Sequence, residues 1–500
     1  MSRKTRTLIV WGCTSGAGKS WLTTALCRVA ARRGVRVAPF KAQNMSNNAR
    51  VVPAPDGGFG EIGTAQYLQA LAARVMPSVD MNPVLLKPER DTASQVVLRG
   101  RADAALSRTG WRERSEALAD AARASFELLA TDYDLIVVEG AGSPAEINLA
   151  PHDYVNLGTA RWAMARGPTR ALLVANIDHG GAFAHLFGTT QLLPDDLRPL
   201  LAGHVLNMFR GDAALLAPGP EQLERLTGVP VVAVIPRVAD HGLPEEDGWF
   251  AASRHACAVA GTGSDTKHVA IIAYPRISNL DEFAPLAQVR GVRLTWARNP
   301  ADLIGVDLVI LPGSKQVSGD LLWLRERGLD RAITGHAASA GSVLGICGGL
   351  QMLGETLADP QGFDGVPGTL QGLGLLPLVT RYEAQKQVRP GTFTFGSTAG
   401  AWLALSGTVA KGYEIRQGAT ALCTDALGAQ VALRDASGRP IGWQRGSVLG
   451  IYAHGLFESA AAMQGLFGAR VPDLDATFET LADLVETHFE TGRLDALLQG

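Results

Sequence analysis

The sequence predicts an α/β fold in two domains, of which the first is a doubly wound parallel sheet and the second repeats the same class. Three observations carry this. Short apolar runs rich in Val, Ile and Leu recur with helical patterns between them, and runs without in/out alternation suit strands buried on both faces and joined by right-handed βαβ crossovers. A polar, glycine-containing stretch interrupts the series and a second α/β series follows it. Finally, 500 residues, 46% of them hydrophobic, are enough for more than one core at a prior of roughly 150 residues per domain.

In chain order, the first series has strands expected at 8–11, 35–40, 135–139, 171–176, 204–207 and 231–236, so residues 1–240 form the first domain. Residues 241–267, with HGLPEEDG and GTGSDTK, read as a linker. The second series runs through 268–274, 292–296, 307–311 and 342–346, with a helix from about Leu350, then a turn-rich, strand-like region at 392–452. That domain is taken as 268–465, and 466–500 as a C-terminal helical segment with an amphipathic helix at 474–488.

Composition excludes several classes. Lys+Arg number 46 against 48 Asp+Glu, a formal net charge of -2, so no overall field draws the chain to nucleic acid or an anionic membrane. Five cysteines (Cys13, Cys27, Cys257, Cys347, Cys423) lack a CxxC pair and do not form a disulfide framework, which fits a reducing cytoplasm. The first apolar run is about five residues long, where a signal peptide needs roughly seven to fifteen. No 18-residue apolar stretch suggests a membrane helix. The expected partners are therefore small molecules; the sequence leaves the oligomeric state open.

The stretch LIVWGCTSGAGKSWLTTAL reads strand, glycine-rich loop, helix. Gly12, Thr14, Ser15, Gly16, Ala17 and Gly18 would wrap phosphate oxygens with backbone N–H groups, Lys19 adds a charge, and the Ser20 hydroxyl can ligate Mg²⁺. Gly12 stands six residues before Gly18, one more than the strict P-loop spacing. Glu139, ending the run DLIVVEGAG, is the leading second metal ligand, because ligands of open α/β sheets gather at strand carboxyl ends; Asp178, after ALLVAN, is the weaker one. The longer loop resembles that of dethiobiotin synthetase and its ATP-dependent relatives, which implies ATP as the nucleotide.

SVLGICGGLQMLG places Cys347 between an apolar strand and a helix, a tight elbow that exposes a nucleophile and offers N–H groups to an oxyanion. Of ten histidines, His454 in VLGIYAHGLFE ends an apolar run before a glycine and is the expected base. Together with LVILPGSKQ, these segments resemble a class I glutamine amidotransferase domain of flavodoxin-like fold. The resemblance implies attack by the Cys347 thiolate on the glutamine amide, with Gly313 and the Gly348 N–H forming the oxyanion hole. Most such domains carry a carboxylate two residues after the histidine, but here that position is Leu456. Either a Cys–His dyad suffices, or a carboxylate elsewhere, such as Glu414 or Glu458, orients the ring.

An ATP site and a glutaminase in one chain imply activation of a carboxylate by phosphorylation and its conversion to an amide by glutamine-derived ammonia. From GCTSGAGKS, APFKAQNMSNNA, EIGTAQ, MNPVLLKP, VEGAGSPAEINL and DHGGAFAHLFGT through PRISNLDEF, LPGSK, GICGGLQMLG, GYEI and YAHGLFE, the chain resembles the cobyric acid synthase family over nearly its whole length. That resemblance implies amidation of the b, d, e and g carboxylates of (adenosyl)cobyrinic acid a,c-diamide, a step of cobalamin biosynthesis. In this light Lys41, Gln43, Asn44, Asn47 and Asn48, after a strand's carboxyl end, offer donors to phosphate or substrate, as does Lys87. Two rivals remain: cobyrinic acid a,c-diamide synthase, and a P-loop switch of the partitioning type. The latter carries an early loop lysine that Gly12 to Ala17 lack. Only eight lysines occur, and Lys19, Lys41, Lys87 and Lys315 all fall in these segments.

Overall fold

The computed structural model describes residues 5–90, 93–238, 241–244, 266–365, 367–423, 428–471 and 473–499. Most of the expected linker at 241–267 lies outside them. The chain divides into two compact units: Met1–Ser46 with Val52–Leu243 and Asp473–Gly500, and Asn47–Val51 with Pro244–Pro472. The C-terminal stretch from Asp473 belongs to the first unit, and the five residues Asn47–Val51 to the second.

In the first unit, strands β1 (Arg6–Gly12), β2 (Val37–Phe40), β3 (Leu135–Glu139), β4 (Thr169–Asn176), β5 (Leu201–Phe209) and β6 (Val231–Pro236) form one parallel sheet in the order β6-β5-β4-β1-β3-β2. Along β1, Leu8 and Val10 join one apolar cluster and Ile9 and Trp11 the other, all at most 1% exposed. A period of two with both faces covered is why the strand reads as an unbroken apolar run. The chain leaves β1 for the edge at β2, returns through β3, and then crosses to β4 on the other side of β1. This reversal opens the crevice at the carboxyl end of β1 where such sheets bind ligands. A small second sheet, not foreseen, pairs Gln43–Met45 in parallel with Val84–Arg90.

Helix α1 (Lys19–Arg32) starts at Gly18 and covers one sheet face. Against it lies the C-terminal helix, residues Leu474–His488, which buries Phe478, Leu481, Ala482 and Val485 in the same cluster. Fully buried Arg28 meets Asp475 at 2.6 Å and Glu479 at 3.0 Å, and Arg32 meets Asp483 at 2.7 Å.

In the second unit, β7 (Lys267–Ile272), β8 (Val292–Ala297), β9 (Leu308–Leu311), β10 (Ser342–Ile346) and β11 (Val448–Ile451) are parallel in the order β8-β7-β9-β10-β11. Antiparallel strands extend the sheet beyond β11, including the long hairpin Leu378–Phe395 with Val409–Leu422. One continuous apolar cluster fills this unit. Among the described residues no helix is long and apolar enough to cross a membrane.

Candidate active sites

The phosphate loop follows β1 as the sequence predicts. Thr14, Ser15 and Gly16 are exposed, while Gly12 and Ala17 are buried and Lys19 is 7% exposed. Lys19 Nζ reaches back over the loop to donate to Thr14 O (3.0 Å) and Gly142 O (3.1 Å). Two loop positions leave little or no room for a side chain. A Cβ on Gly12 would stand 2.9 Å from Lys19 Nζ, and Gly18 has φ +90° with Asn207 Nδ2 only 2.0 Å from where its Cβ would be. Asn207, absent from the sequence reading, donates to Ala17 O at 2.9 Å and braces the loop from β5.

Glu139 ends β3 beside the loop and is 1% exposed. Ser20 Oγ donates to its Oε1 at 2.7 Å, Lys41 Nζ to the same oxygen at 2.8 Å, and Gln69 Nε2 to Oε2 at 2.5 Å. Burial pushes this carboxyl up, but Lys41, Ser20 and Gln69 outweigh it and hold its pKa below the usual value. An anionic carboxylate and a hydroxyl, both oxygen donors, fit a hard divalent cation beside a polyphosphate. Asn156 clamps the Gly140–Gly142 turn, accepting from Ala141 N at 3.0 Å and donating to Ala141 O at 2.8 Å.

The weaker metal candidate, Asp178, is instead gripped by Arg210 and by Arg237 at 3.0 Å. Gln43 accepts from Tyr154 Oη at 2.6 Å, Asn44 is buried beside Gly63, and Lys87 pairs with buried Glu61. Asn47 and Asn48 do not share this unit with Lys41; they belong to the second.

In the second unit Cys347 sits at the β10 elbow with φ +52° and ψ -104° and caps the helix Gly348–Leu353. Holding a non-glycine residue there costs about 1–3 kcal/mol, and close packing enforces it: a Cβ on Gly349 would lie 1.9 Å from Leu311 O. Gly348 packs against Ser314 N and Gly313 against the His454 ring, so the two expected oxyanion positions and the histidine converge. The Cys347 thiol donates to Ile415 O at 3.3 Å, and its sulfur lies near enough to His454 to act on the charge of the ring.

The carboxylate that orients His454 is neither Glu414 nor Glu458. It is Glu282, fully buried, with Oε1 3.1 Å from His454 Nδ1 and Oε2 accepting from Gly455 N at 3.3 Å. Glu414 is tied up by Arg389 (2.6 Å), Arg416 (2.9 Å) and Arg439 (2.9 Å), and Glu458 by Arg50 (2.6 Å). Burial would push the His454 pKa down; Glu282 and the Cys347 sulfur reverse this and raise it to about 10. A protonated imidazole held by a carboxylate is the arrangement that delivers a proton to a leaving amine. Glu282 lies in PRISNLDEF, 172 residues before its partner. The available signal was the pair of adjacent acids, Asp281 and Glu282, in a segment otherwise poor in charge.

A P-loop unit with an acid at the strand end, and a second unit with a strained cysteine facing a carboxylate-held histidine, define a glutamine-dependent amide-forming enzyme. Comparison with known proteins agrees. Residues 8–247 match the CobQ/CobB/MinD/ParA nucleotide binding domain, and residues 268–462 the CobB/CobQ-like glutamine amidotransferase domain. The chain is 58% identical over 498 residues to a cobyric acid synthase of Variovorax paradoxus, covering 99% of each chain. It is 57% identical over 495 residues to that of Methylibium petroleiphilum, covering 99% of this chain and 97% of the relative, and 58% over 487 residues to that of Paracidovorax citrulli, covering 97% of each. The chain belongs to the cobyric acid synthase family.

Proposed function

We propose that this enzyme amidates the b, d, e and g carboxylates of (adenosyl)cobyrinic acid a,c-diamide in turn, in the cytoplasm. The observation that carries this reading is the presence of two complete half-sites on a chain that matches cobyric acid synthases end to end. In the first half, a substrate carboxylate oxygen attacks the γ-phosphorus of ATP and ADP leaves, giving an acyl phosphate. Gly12, Thr14, Ser15, Gly16, Ala17, Gly18 and Lys19 cradle the phosphates, and Lys41 lies close enough to Glu139 to offset its charge. Ser20 and Glu139 would hold Mg²⁺, which supplies neutralisation of phosphate charge.

In the second half, the Cys347 thiolate attacks the side-chain amide carbon of glutamine while Gly313 and the Gly348 N–H face the oxyanion. His454 gives its proton to the departing ammonia, then accepts one from the water that releases glutamate. Ammonia displaces phosphate from the acyl phosphate, losing a proton, and the carboxamide results. Lys41, bonded to Glu139 beside the loop, would meet the transferred phosphoryl group, and Gln43, Asn44 and Lys87 would meet the corrinoid.

Incubating cobyrinic a,c-diamide with enzyme, ATP and glutamine tests this. Mass spectrometry should show four successive replacements of hydroxyl by amino group. Conversion of cobyrinic acid itself at the a and c positions would favour cobyrinic acid a,c-diamide synthase instead.

A further inference from the structure

Asn48, Ala49 and Arg50 fall within the stretch matched by the nucleotide-binding family model, yet they pack in the glutaminase unit. There they hold three consecutive residues that lead into Glu282. Ala49 N donates to Asn279 Oδ1 at 3.3 Å, Leu280 N donates to Asn48 Oδ1 at 2.9 Å, and Arg50 pairs with Asp281. Asn279 is itself in the left-handed region, φ +54°, a conformation that asparagine adopts more readily than other non-glycine residues, and these contacts hold the turn that delivers Glu282.

Arg50 also works from the other side of the histidine. Its guanidinium lies 5.2 Å above the Tyr413 ring and meets Glu458 at 2.6 Å. The Tyr413 ring stacks on His454 at 5.2 Å with 15° between the planes, and the two residues exchange backbone hydrogen bonds. Asn279 Nδ2 donates to Tyr413 Oη at 3.2 Å, closing the frame. Arg50 therefore grips both walls of the His454 slot, the Glu282 wall through Asp281 and the aromatic wall through Tyr413.

We propose that Arg50 is a positioning residue of the glutaminase, locking the Glu282–His454 pair from outside. The inference rests on the reading of Cys347 and His454 as the glutaminase pair. A planar fork spanning two carboxylates and a ring is something an ammonium does not reproduce, so the conservative change is informative.

The test uses the full-length enzyme with Arg50→Lys and Arg50→Ala, each also made in a Glu282→Gln background, and Cys347→Ser as the control. Arg50→Ala should lower kcat for glutamine-dependent amidation by about 10- to 100-fold, with the glutamine KM within about threefold, and Arg50→Lys should recover part of the loss. Ammonia-dependent amidation should stay near wild type, which also reports that the protein has folded. In the Glu282→Gln background, where His454 has already lost its orienting partner, Arg50→Ala should cost little more.

Unchanged kcat, a loss confined to KM, a parallel fall in the ammonia reaction, or multiplicative losses in the double variant would each overturn the proposal. Survival of glutamine-dependent amidation in Cys347→Ser would instead overturn the underlying assignment of the nucleophile.

Discussion

The Glu282 carboxylate carries the orientation of the glutaminase histidine, because His454 has no other acidic partner among its described hydrogen bonds. Glu282→Gln keeps the shape but removes the charge. It should reduce glutamine-dependent amidation by up to about 10⁴-fold, the loss seen when the orienting acid of a Ser–His–Asp triad is neutralised, and leave ammonia-dependent amidation intact. The same substitution has a pH signature. The folded-state pKa of His454, about 10, exceeds the ordinary value of about 6.5. Its contribution to stability is thus full below about pH 6.5 and lost as pH rises through about 10. Thermal unfolding of wild type and Glu282→Gln should therefore differ most at pH 6 and converge toward pH 10; a constant difference would mean that Glu282 does not govern His454 charge. The residue escaped the sequence reading because a triad is a meeting in space. The family position after the histidine is Leu456, buried at 3% exposure, and nothing in the local sequence says that the acid arrives from 172 residues away. Cys347, His454, Lys19, Ser20 and Glu139 were legible because each ends or begins an element whose pattern is local.

At the scale of elements, the parallel strands were readable from apolar runs, whereas assignment of a helix to a unit was not. The helix Leu474–His488 has the extent its periodicity predicts, yet it packs on α1 and not on the domain that precedes it in sequence. Its partner signal was divided between the chain ends: Asp475, Glu479, Asp483 and Glu486 recur at helical spacing and face Arg28, Arg32 and Arg33 of α1. The half-exposed pairs of Arg32 and Arg33 are each worth little, so the apolar face beneath should carry most of the docking. Phe478, 2% exposed, supplies a test: Phe478→Ala should destabilise the first unit by about 3–5 kcal/mol, lowering its unfolding midpoint in denaturant. Substituting Asp483 by Ala, by contrast, should cost under about 1 kcal/mol. The loop after β1 follows an equally local rule. Gly18→Ala must place a Cβ 2.0 Å from Asn207 Nδ2 at φ +90°; it should abolish nucleotide binding measured by calorimetry while glutamine hydrolysis persists.

For the whole molecule, the proposed function assigns two chemistries to the two compact units of one chain and requires that each can be silenced alone. Ammonia enters the reaction as a free nucleophile, so losing its source is not the same as losing its acceptor. Cys347→Ser replaces the sulfur at a position whose strained backbone is held by Leu311 and Gly349 and should therefore fold normally. It should abolish amidation from glutamine, while high ammonium, a small fraction of which is unprotonated near neutrality, restores amide formation. Lys19→Ala removes the ammonium that spans Thr14 O and Gly142 O, and with it the charge that the proposed function sets against the transferred phosphoryl group. Without acyl phosphate no nitrogen source helps, and amidation should fail with glutamine and ammonium alike. The measurement is product formation from each nitrogen source in parallel, followed by mass spectrometry. The pattern required is asymmetric: rescue by ammonium for the cysteine variant and none for the lysine variant. Loss of both reactions in Cys347→Ser would mean that the thiol serves the ligase half as well, and ammonium-supported turnover in Lys19→Ala would separate the phosphate loop from the amidation step.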